Sequence, residues 1–454
     1  MKPRQFKRES FGDPLRQTPD CSSVVSHLKG GDPISKIGQA THRTLTTRQY
    51  SRRDVLKLGG AAVLATTAGS LAGVSPIKAF PALVGSEVKL GLMDSLTGVG
   101  SIHAPSVLNC AKLAVDEINA AGGVLGSRIS LEIEDNHTDV DISIQKATKL
   151  VKDSKVAAMI DMSFSNQRIA VATQVAEPLK AIYMSPVFYE GGICGRYFFS
   201  VGALANQSID PMVPWAMKQF GKRCYLIGSD YAWGRGSAAA AKAALTAANG
   251  ELAGEEYAPL GQTEWSAIIQ RLADAQPNFG FLWVAGNDLV TFLKQFIDFG
   301  LKDKIRLAFT YMSEEVTPSL PPANRSGLLA TTAYLMSLDT PQNKAFLERF
   351  KKSFGQDQVV TIFGEGTYDC VYLWKQACEK AGTFDTEPVV DALDGIVFQD
   401  APQGPVKIDP VTHHCTVRDL VGESTEDPIA FKILTDLGMI DPVDPSCKVP
   451  KAAA

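Results

Sequence analysis

Val88-Lys-Leu-Gly-Leu-Met93 is a short apolar run, and so is Ile129 to Ile133. Between them Ala111, Leu113, Ala114, Ile118 and Ala121 recur at helical spacing, and Gly122-Gly123 stops that helix. Strand, helix and strand in this order make a βαβ unit with parallel strands.

The same rhythm runs on along the chain. A helix over Ile142–Val151, a strand over Val156–Met162, a helix over Arg168–Leu179 and a strand over Ala181–Met184 complete a first unit. After residue 206 the pattern restarts. Helices are expected at Asp210–Phe220, Ser237–Ala248, Trp265–Ala275 and Leu289–Phe299, and strands at Cys224–Gly228, Glu256–Leu260, Phe279–Val284 and Ile305–Thr310. Further helices follow at Gln342–Phe354, Gly366–Ala381 and Pro388–Leu393, then short strands from Val406–Ile408 onward. The reading is an α/β protein of two doubly wound parallel-sheet units, near 87–205 and 207–330. Ligands of such sheets bind outside the carboxyl ends of the strands, so two facing sheets make a cleft.

The chain of 454 residues has room for two or three domains. Its net charge of −4 hides an asymmetry. Residues 1–79 hold 13 Lys+Arg against 5 Asp+Glu, which leaves 32 basic and 44 acidic residues, a net of −12, for the rest. An acidic body argues against nucleic acid as the main partner.

The basic front end reads as an address. Ser51-Arg-Arg-Asp-Val-Leu-Lys57 is followed by a mildly apolar stretch from Leu58 to Val74, and Ser75-Pro-Ile-Lys-Ala79 offers a small residue for cleavage. Charged, apolar and small-residue parts in that order make a secretory signal. Arg52-Arg53 matches the twin-arginine type, which implies the twin-arginine export machinery as a partner and the periplasm as destination. Residues 1–50 carry no periodicity and are expected to be disordered. Seven cysteines follow residue 79, an odd number, and no C-x-x-C occurs. Cys370 and Cys378 share a helix roughly 12 Å apart, too far to pair. Most are expected to be buried thiols.

Candidate site residues come from strand ends. Ser165 is expected to cap the helix after the third strand, and Ser185 ends the next strand. In the second unit the loops Ser229-Asp-Tyr231, Ala285-Gly-Asn-Asp288 and Tyr311-Met-Ser-Glu-Glu315 face the same gap, and Glu314 or Glu315 is placed to hold an ammonium or amide N–H. Catalytic motifs are missing: there is no G-x-S-x-G, H-E-x-x-H or G-x-x-x-x-G-K-[ST]. His413-His414 is the only His pair, and strand neighbours point to opposite faces, so no metal or other cofactor is expected. Trp265, Trp283 and Trp374 are expected in the core.

Six stretches together resemble a known family. They are Asp116-Glu-Ile-Asn-Ala-Ala-Gly-Gly-Val-Leu-Gly126, Pro186 with Tyr189-Glu-Gly191, Leu226-Ile-Gly-Ser-Asp-Tyr231, Gly254-Glu-Glu-Tyr-Ala-Pro-Leu-Gly261, Ser337-Leu-Asp-Thr-Pro341, and Asp400-Ala-Pro-Gln-Gly-Pro-Val-Lys-Ile-Asp409 with His413-His414. Over about residues 87–425 the chain resembles the substrate-binding proteins of branched-chain-amino-acid-type ABC transporters, most of all the urea- and amide-binding branch. The resemblance implies the type I periplasmic-binding-protein fold, with two α/β lobes joined by three crossings. The first lobe would be 87–205 plus about 331–400, the second 206–330 plus about 401–435, and 436–454 a tail.

The resemblance also implies ligand contacts at Ser163, Ser165, Ser185 and Val187 on the first lobe, and at Tyr231, Gly286, Ser313 and Glu314 on the second. Urea- and amide-binding relatives carry an aromatic at Ser163 and a Tyr at Ser185. The smaller residues enlarge the pocket here unless Phe164 or Phe188 refills it, which widens the ligand class to an amino acid, a larger amide or an organic acid. The implied function is that of an extracytoplasmic receptor, not an enzyme, that hands a small solute to an ABC permease in the inner membrane. A ligand-responsive amide sensor is the alternative.

Overall fold

The computed structural model describes residues 86–450. The expected export signal and N-terminal extension, residues 1–79, lie outside the described residues.

The first lobe opens with β1 (Glu87–Asp94), α1 (Ala104–Ala120), β2 (Arg128–Asp135), α2 (Val140–Lys149), β3 (Ala158–Met162), α3 (Ser165–Val171), α4 (Glu177–Leu179), β4 (Tyr183–Ser185) and β5 (Phe198–Ser200). Its five strands run in the order β2-β1-β3-β4-β5, all parallel. β3 is buried along its whole length, as a central parallel strand covered on both faces must be. α1 stops where Gly123 turns at φ +74° and donates its N–H back to the carbonyl of Ile118. A Cβ there would lie 2.0 Å from the Ser127 carbonyl oxygen, so only glycine fits.

The second lobe repeats the scheme with α5 (Ala205–Phe220), β6 (Arg223–Ser229), α6 (Ala232–Ala247), β7 (Glu251–Ala258), α7 (Ser266–Ala275), β8 (Phe279–Trp283), α8 (Gly286–Asp298), β9 (Arg306–Thr310) and β10 (Leu329–Thr332). The chain then returns to the first lobe as α9 (Pro341–Phe354), α10 (Ile362–Ala381) and α11 (Thr386–Leu393). It ends as β11 (Val397–Phe398), β12 (Val406–Ile408), β13 (Cys415–Ser424) and β14 (Phe431–Ile440). The second sheet runs β11-β12-β13-β10-β9-β8-β6-β7, with β14 paired to β13. Its strands from β10 to β7 are parallel, and β13 joins β10 antiparallel.

Three segments join the lobes: β5 to α5, β10 to α9, and β11 to β13. A backbone bond from Ser200 N–H to the His413 carbonyl ties the first to the third. The region expected to be tail from 436 continues β14 to Ile440. β5 and β10 have three and four residues, and neither was anticipated as a strand. Trp265, Trp283 and Trp374 are fully buried. Among the described residues no helix is long and apolar enough to cross a membrane.

Most of the cysteines are buried thiols as expected, and two of them pair. Cys194 and Cys447 form a disulfide that closes a sequence separation of 253 residues, and ties the β4–β5 loop to the C-terminal segment. No local pattern announces it, because the two meet only once the fold returns its end to the first lobe. Cys110, Cys224, Cys370, Cys378 and Cys415 are free and buried. The two histidines are spent separately. His413 stacks on Phe199 and pairs with Asp394, while His414 Nδ1 lies 2.7 Å from the Thr412 carbonyl and its other nitrogen meets the Tyr189 hydroxyl. Among the described residues no cluster of three or more His, Cys, Asp or Glu is arranged to hold a metal.

Candidate functional site

The carboxyl ends of β3 and β4 in one lobe face those of β6, β8 and β9 in the other, and a pocket lies between them. His103, Phe164, Ser165, Arg168, Val187, Phe188 and Phe363 of the first lobe line it. Tyr231, Trp233, Gly286, Thr310, Tyr311 and Glu315 line it from the second. The lobes touch across the gap. His103 Nδ1 is 3.0 Å from Glu315 Oε1, and Asn166 Oδ1 accepts from the Ala232 N–H at 3.4 Å. Phe164 lies 5.8 Å from Tyr231, and Phe188 lies 3.4 Å from Tyr311, ring centre to ring centre.

Gly286 sits at the seam. It begins α8 at φ +52°, and a Cβ there would come within 2.2 Å of the Val99 carbonyl oxygen on the opposite lobe. Glycine lets the two backbones meet.

The expected site residues divide into two groups. Ser165, Val187, Tyr231 and Gly286 line the pocket, whereas Ser163, Ser185, Ser313 and Glu314 stand behind its wall. Ser163 donates its hydroxyl to Asp161 at 2.6 Å, and Ser185 Oγ accepts from the Val187 N–H at 3.4 Å. Ser313 donates to Glu315 Oε2 at 2.6 Å and so orients the carboxylate that faces the pocket. Glu314 turns the other way, and its Oε1 accepts from the Met336 N–H of the second crossing at 2.6 Å. Burial pushes the Glu314 carboxyl up to about 8. Adjacent residues diverge here, so of Glu314 and Glu315 it is Glu315 that reaches the cleft.

Ser165 is not the cap of its helix. Phe164 holds that position, with its N–H bonded to Gln167 Oε1 at 3.0 Å. The Ser165 hydroxyl is committed instead: it donates to Glu190 Oε2 at 2.7 Å and accepts from Arg168 at 2.9 Å. Arg168 is fully buried, lies over the Tyr189 ring at 4.7 Å, and leaves its Nε without a partner. Below it Asp161 is pushed up to about 6 by burial, against the pull of the Ser163 and Tyr183 hydroxyls and of Arg168. Burial likewise holds the Tyr231 hydroxyl well above its usual range, so it stays neutral. Thr310 Oγ1, on the wall, has no partner within the protein.

Strand-end reasoning missed His103, Trp233 and Phe363, and gave no role to Arg168 or Thr310. His103 comes from a 3₁₀ turn before α1, and Phe363 from the first turn of α10. His103 ends the connection that follows β1, whereas Phe363 follows no strand. Tyr311 carried one signal only the backbone shows, a left-handed φ of +66°, a conformation that costs a non-glycine residue about 1–3 kcal/mol and clusters at functional sites.

The sequence profile of one family, described as periplasmic binding protein, matches residues 87–421. The chain belongs to the periplasmic binding protein family. A Leu/Ile/Val-binding protein homolog of Brucella melitensis is 32% identical over 216 residues, 46% of this chain and 55% of that protein. The chain thus spans about half the length of the first curated relatives it matches. A leucine-, isoleucine-, valine-, threonine- and alanine-binding protein of Pseudomonas aeruginosa is 24% identical over 72% of this chain and 87% of its own. Among solved structures, an ABC-transporter solute-binding protein from Rhodopseudomonas palustris in complex with 3,4-dihydroxybenzoic acid superposes with a TM-score of 0.70 at 24% identity, covering 79% of this chain and 98% of that one. The periplasmic binding fold of the two lobes follows from these matches.

Proposed function

We propose that this protein is the solute receptor of an ABC importer, exported by its twin-arginine signal, and that its ligand is a small carboxylate bearing an aromatic ring. The observation that carries the ligand class is the wall of the pocket. Six rings, Phe164, Phe188, Tyr231, Trp233, Tyr311 and Phe363, surround it, with a buried Arg168 beside Ser165 on one side and the His103–Glu315 pair on the other.

Rings favour an aromatic guest through burial and stacking. Arg168 suits its carboxylate, because a charge-assisted bond to a buried guanidinium is strong and the Arg168 Nε has no other partner. Glu315 suits a donor at the far end of the guest, such as a phenolic hydroxyl. The ligand first rests on one lobe, and the second lobe closes over it, because Tyr231 and Glu315 reach it only then. The permease selects that closed form. Nothing in this cycle alters the solute chemically.

An amino acid is the second reading. The same Glu315 carboxylate would accept its ammonium, and the curated relatives are named for amino acids.

A thermal-shift screen separates the readings. Benzoate and 4-hydroxybenzoate at about a hundredfold above their dissociation constants are expected to add about 2.7 kcal/mol of apparent stability. A shift with leucine alone moves the assignment to amino acids, and a shift with urea or acetamide alone overturns the aromatic reading.

A further inference from the structure

The space left in the pocket is about 40 Å³. A cavity that holds one benzene ring is about 150 Å³. Phe188 reaches from the first lobe into the cleft and lies parallel to Tyr311 of the second, at 3.4 Å and 7°. This is a direct face-to-face sandwich, the least favoured way for two rings to meet.

The two rings are not held alike. Tyr311 is anchored: its N–H donates to the Thr331 carbonyl at 2.6 Å, and its hydroxyl lies near Ser208. The backbone around Phe188 is pinned too. The Val187 N–H is held by Ser185 Oγ, the Tyr189 N–H by the Ala203 carbonyl at 3.0 Å, and Gly202 presses on the Val187–Phe188 peptide so closely that a Cβ would fall 2.1 Å from it. No hydrogen bond holds the Phe188 ring, so rotation about its side-chain bonds is the motion left to it.

We infer that Phe188 is a swinging plug, an internal stand-in for the ligand's ring that occupies the face of Tyr311 until a ring-bearing solute displaces it. The ligand-class part rests on the reading proposed above, and the motion of the ring does not. As a plug, Phe188 sets specificity by a threshold. A solute without a flat apolar face cannot replace the stack, so it gains nothing from the Tyr311 surface.

Two measurements decide it. First, 4-fluorophenylalanine is placed at position 188 alone, and fluorine NMR is recorded without and with benzoate, 4-hydroxybenzoate or leucine. The plug predicts exchange between two environments, and a bound solute drives the resonance to the second. One sharp line that no saturating solute moves overturns the plug. Second, calorimetry with benzoate compares the parent chain with Phe188→Leu and Phe188→Ala, the leucine variant guarding against loss of fold. Removing the competitor is expected to lower the dissociation constant about two- to tenfold. A higher or equal constant means that Phe188 belongs to the bound wall, which overturns the inference. If benzoate binds none of the three proteins, the aromatic ligand class fails and the fluorine spectrum alone decides the plug.

Discussion

His103 Nδ1 and Glu315 Oε1 meet at 3.0 Å from opposite lobes, both nearly buried. The contact exists only when the cleft is shut, so it links closure to binding. Ser313 steadies Glu315 from behind, and the Phe363 ring lies 4.3 Å from the imidazole. In a double-mutant cycle, His103→Ala and Glu315→Gln are expected each to weaken ligand binding, with a coupling of about 0.5–3 kcal/mol between them. Calorimetric affinities of the four proteins measure it. Strict additivity would mean that the pair plays no part in the closed form.

Gly286 predicts a block to closure. Alanine there faces both a left-handed backbone and the Val99 carbonyl of the other lobe. Gly286→Ala is expected to leave secondary structure intact by circular dichroism and to weaken ligand binding at least tenfold, about 1.4 kcal/mol. Unchanged affinity would show that the lobes bind solute without the Val99–Gly286 approach.

Stability is expected to fall as pH rises from about 6.5 to 8. Burial raises Glu314 to about 8, and also raises the Glu365 and Asp369 carboxyls, which share Gln403 as a donor. The unfolded chain has already released these protons by pH 6.5, whereas the folded chain keeps them, so the native state loses ground with each step upward. His413 and His414, held down to about 4, act oppositely but only below about 6.5. Across this window Glu314 alone accounts for about 2 kcal/mol. Urea unfolding at the two pH values tests the slope, and Glu314→Gln should flatten part of it. A stability that rises over the window contradicts the protonated carboxyls.

The disulfide predicts a redox dependence of stability. Cys194–Cys447 fastens the C-terminal segment across 253 residues. Cys447→Ser is expected to cost about 2–5 kcal/mol. Denaturant melts with and without reductant should show the loss in the parent chain and none in the variant.

Much of the fold was legible because buried parallel strands read as continuous apolar runs, and the helices between them keep a 3.6-residue stripe. Arg223–Ser229, Phe279–Trp283 and Arg306–Thr310 are examples. β5 and β10 escaped because their place is set by neighbours already in the sheet. Half of the expected residues line the pocket, for a related reason. Ser165, Val187, Tyr231 and Gly286 stand where strands end, and that location follows from topology. Phe363 reaches the pocket from an element whose position depends on the second crossing, which no local pattern encodes. The choice between Glu314 and Glu315 turned on one backbone step.

The claim that one solute is clamped between two walls is tested most directly by calorimetric titration of three proteins: the parent chain, Ser165→Ala on the first lobe and Tyr231→Ala on the second. With the ligand found in the screen, the account predicts one molecule per chain and weaker binding in both variants, at least tenfold for Tyr231→Ala, about 1.4 kcal/mol, with neither variant unfolded. Affinity that ignores the substitution on one lobe would place the solute on a single wall and contradict it.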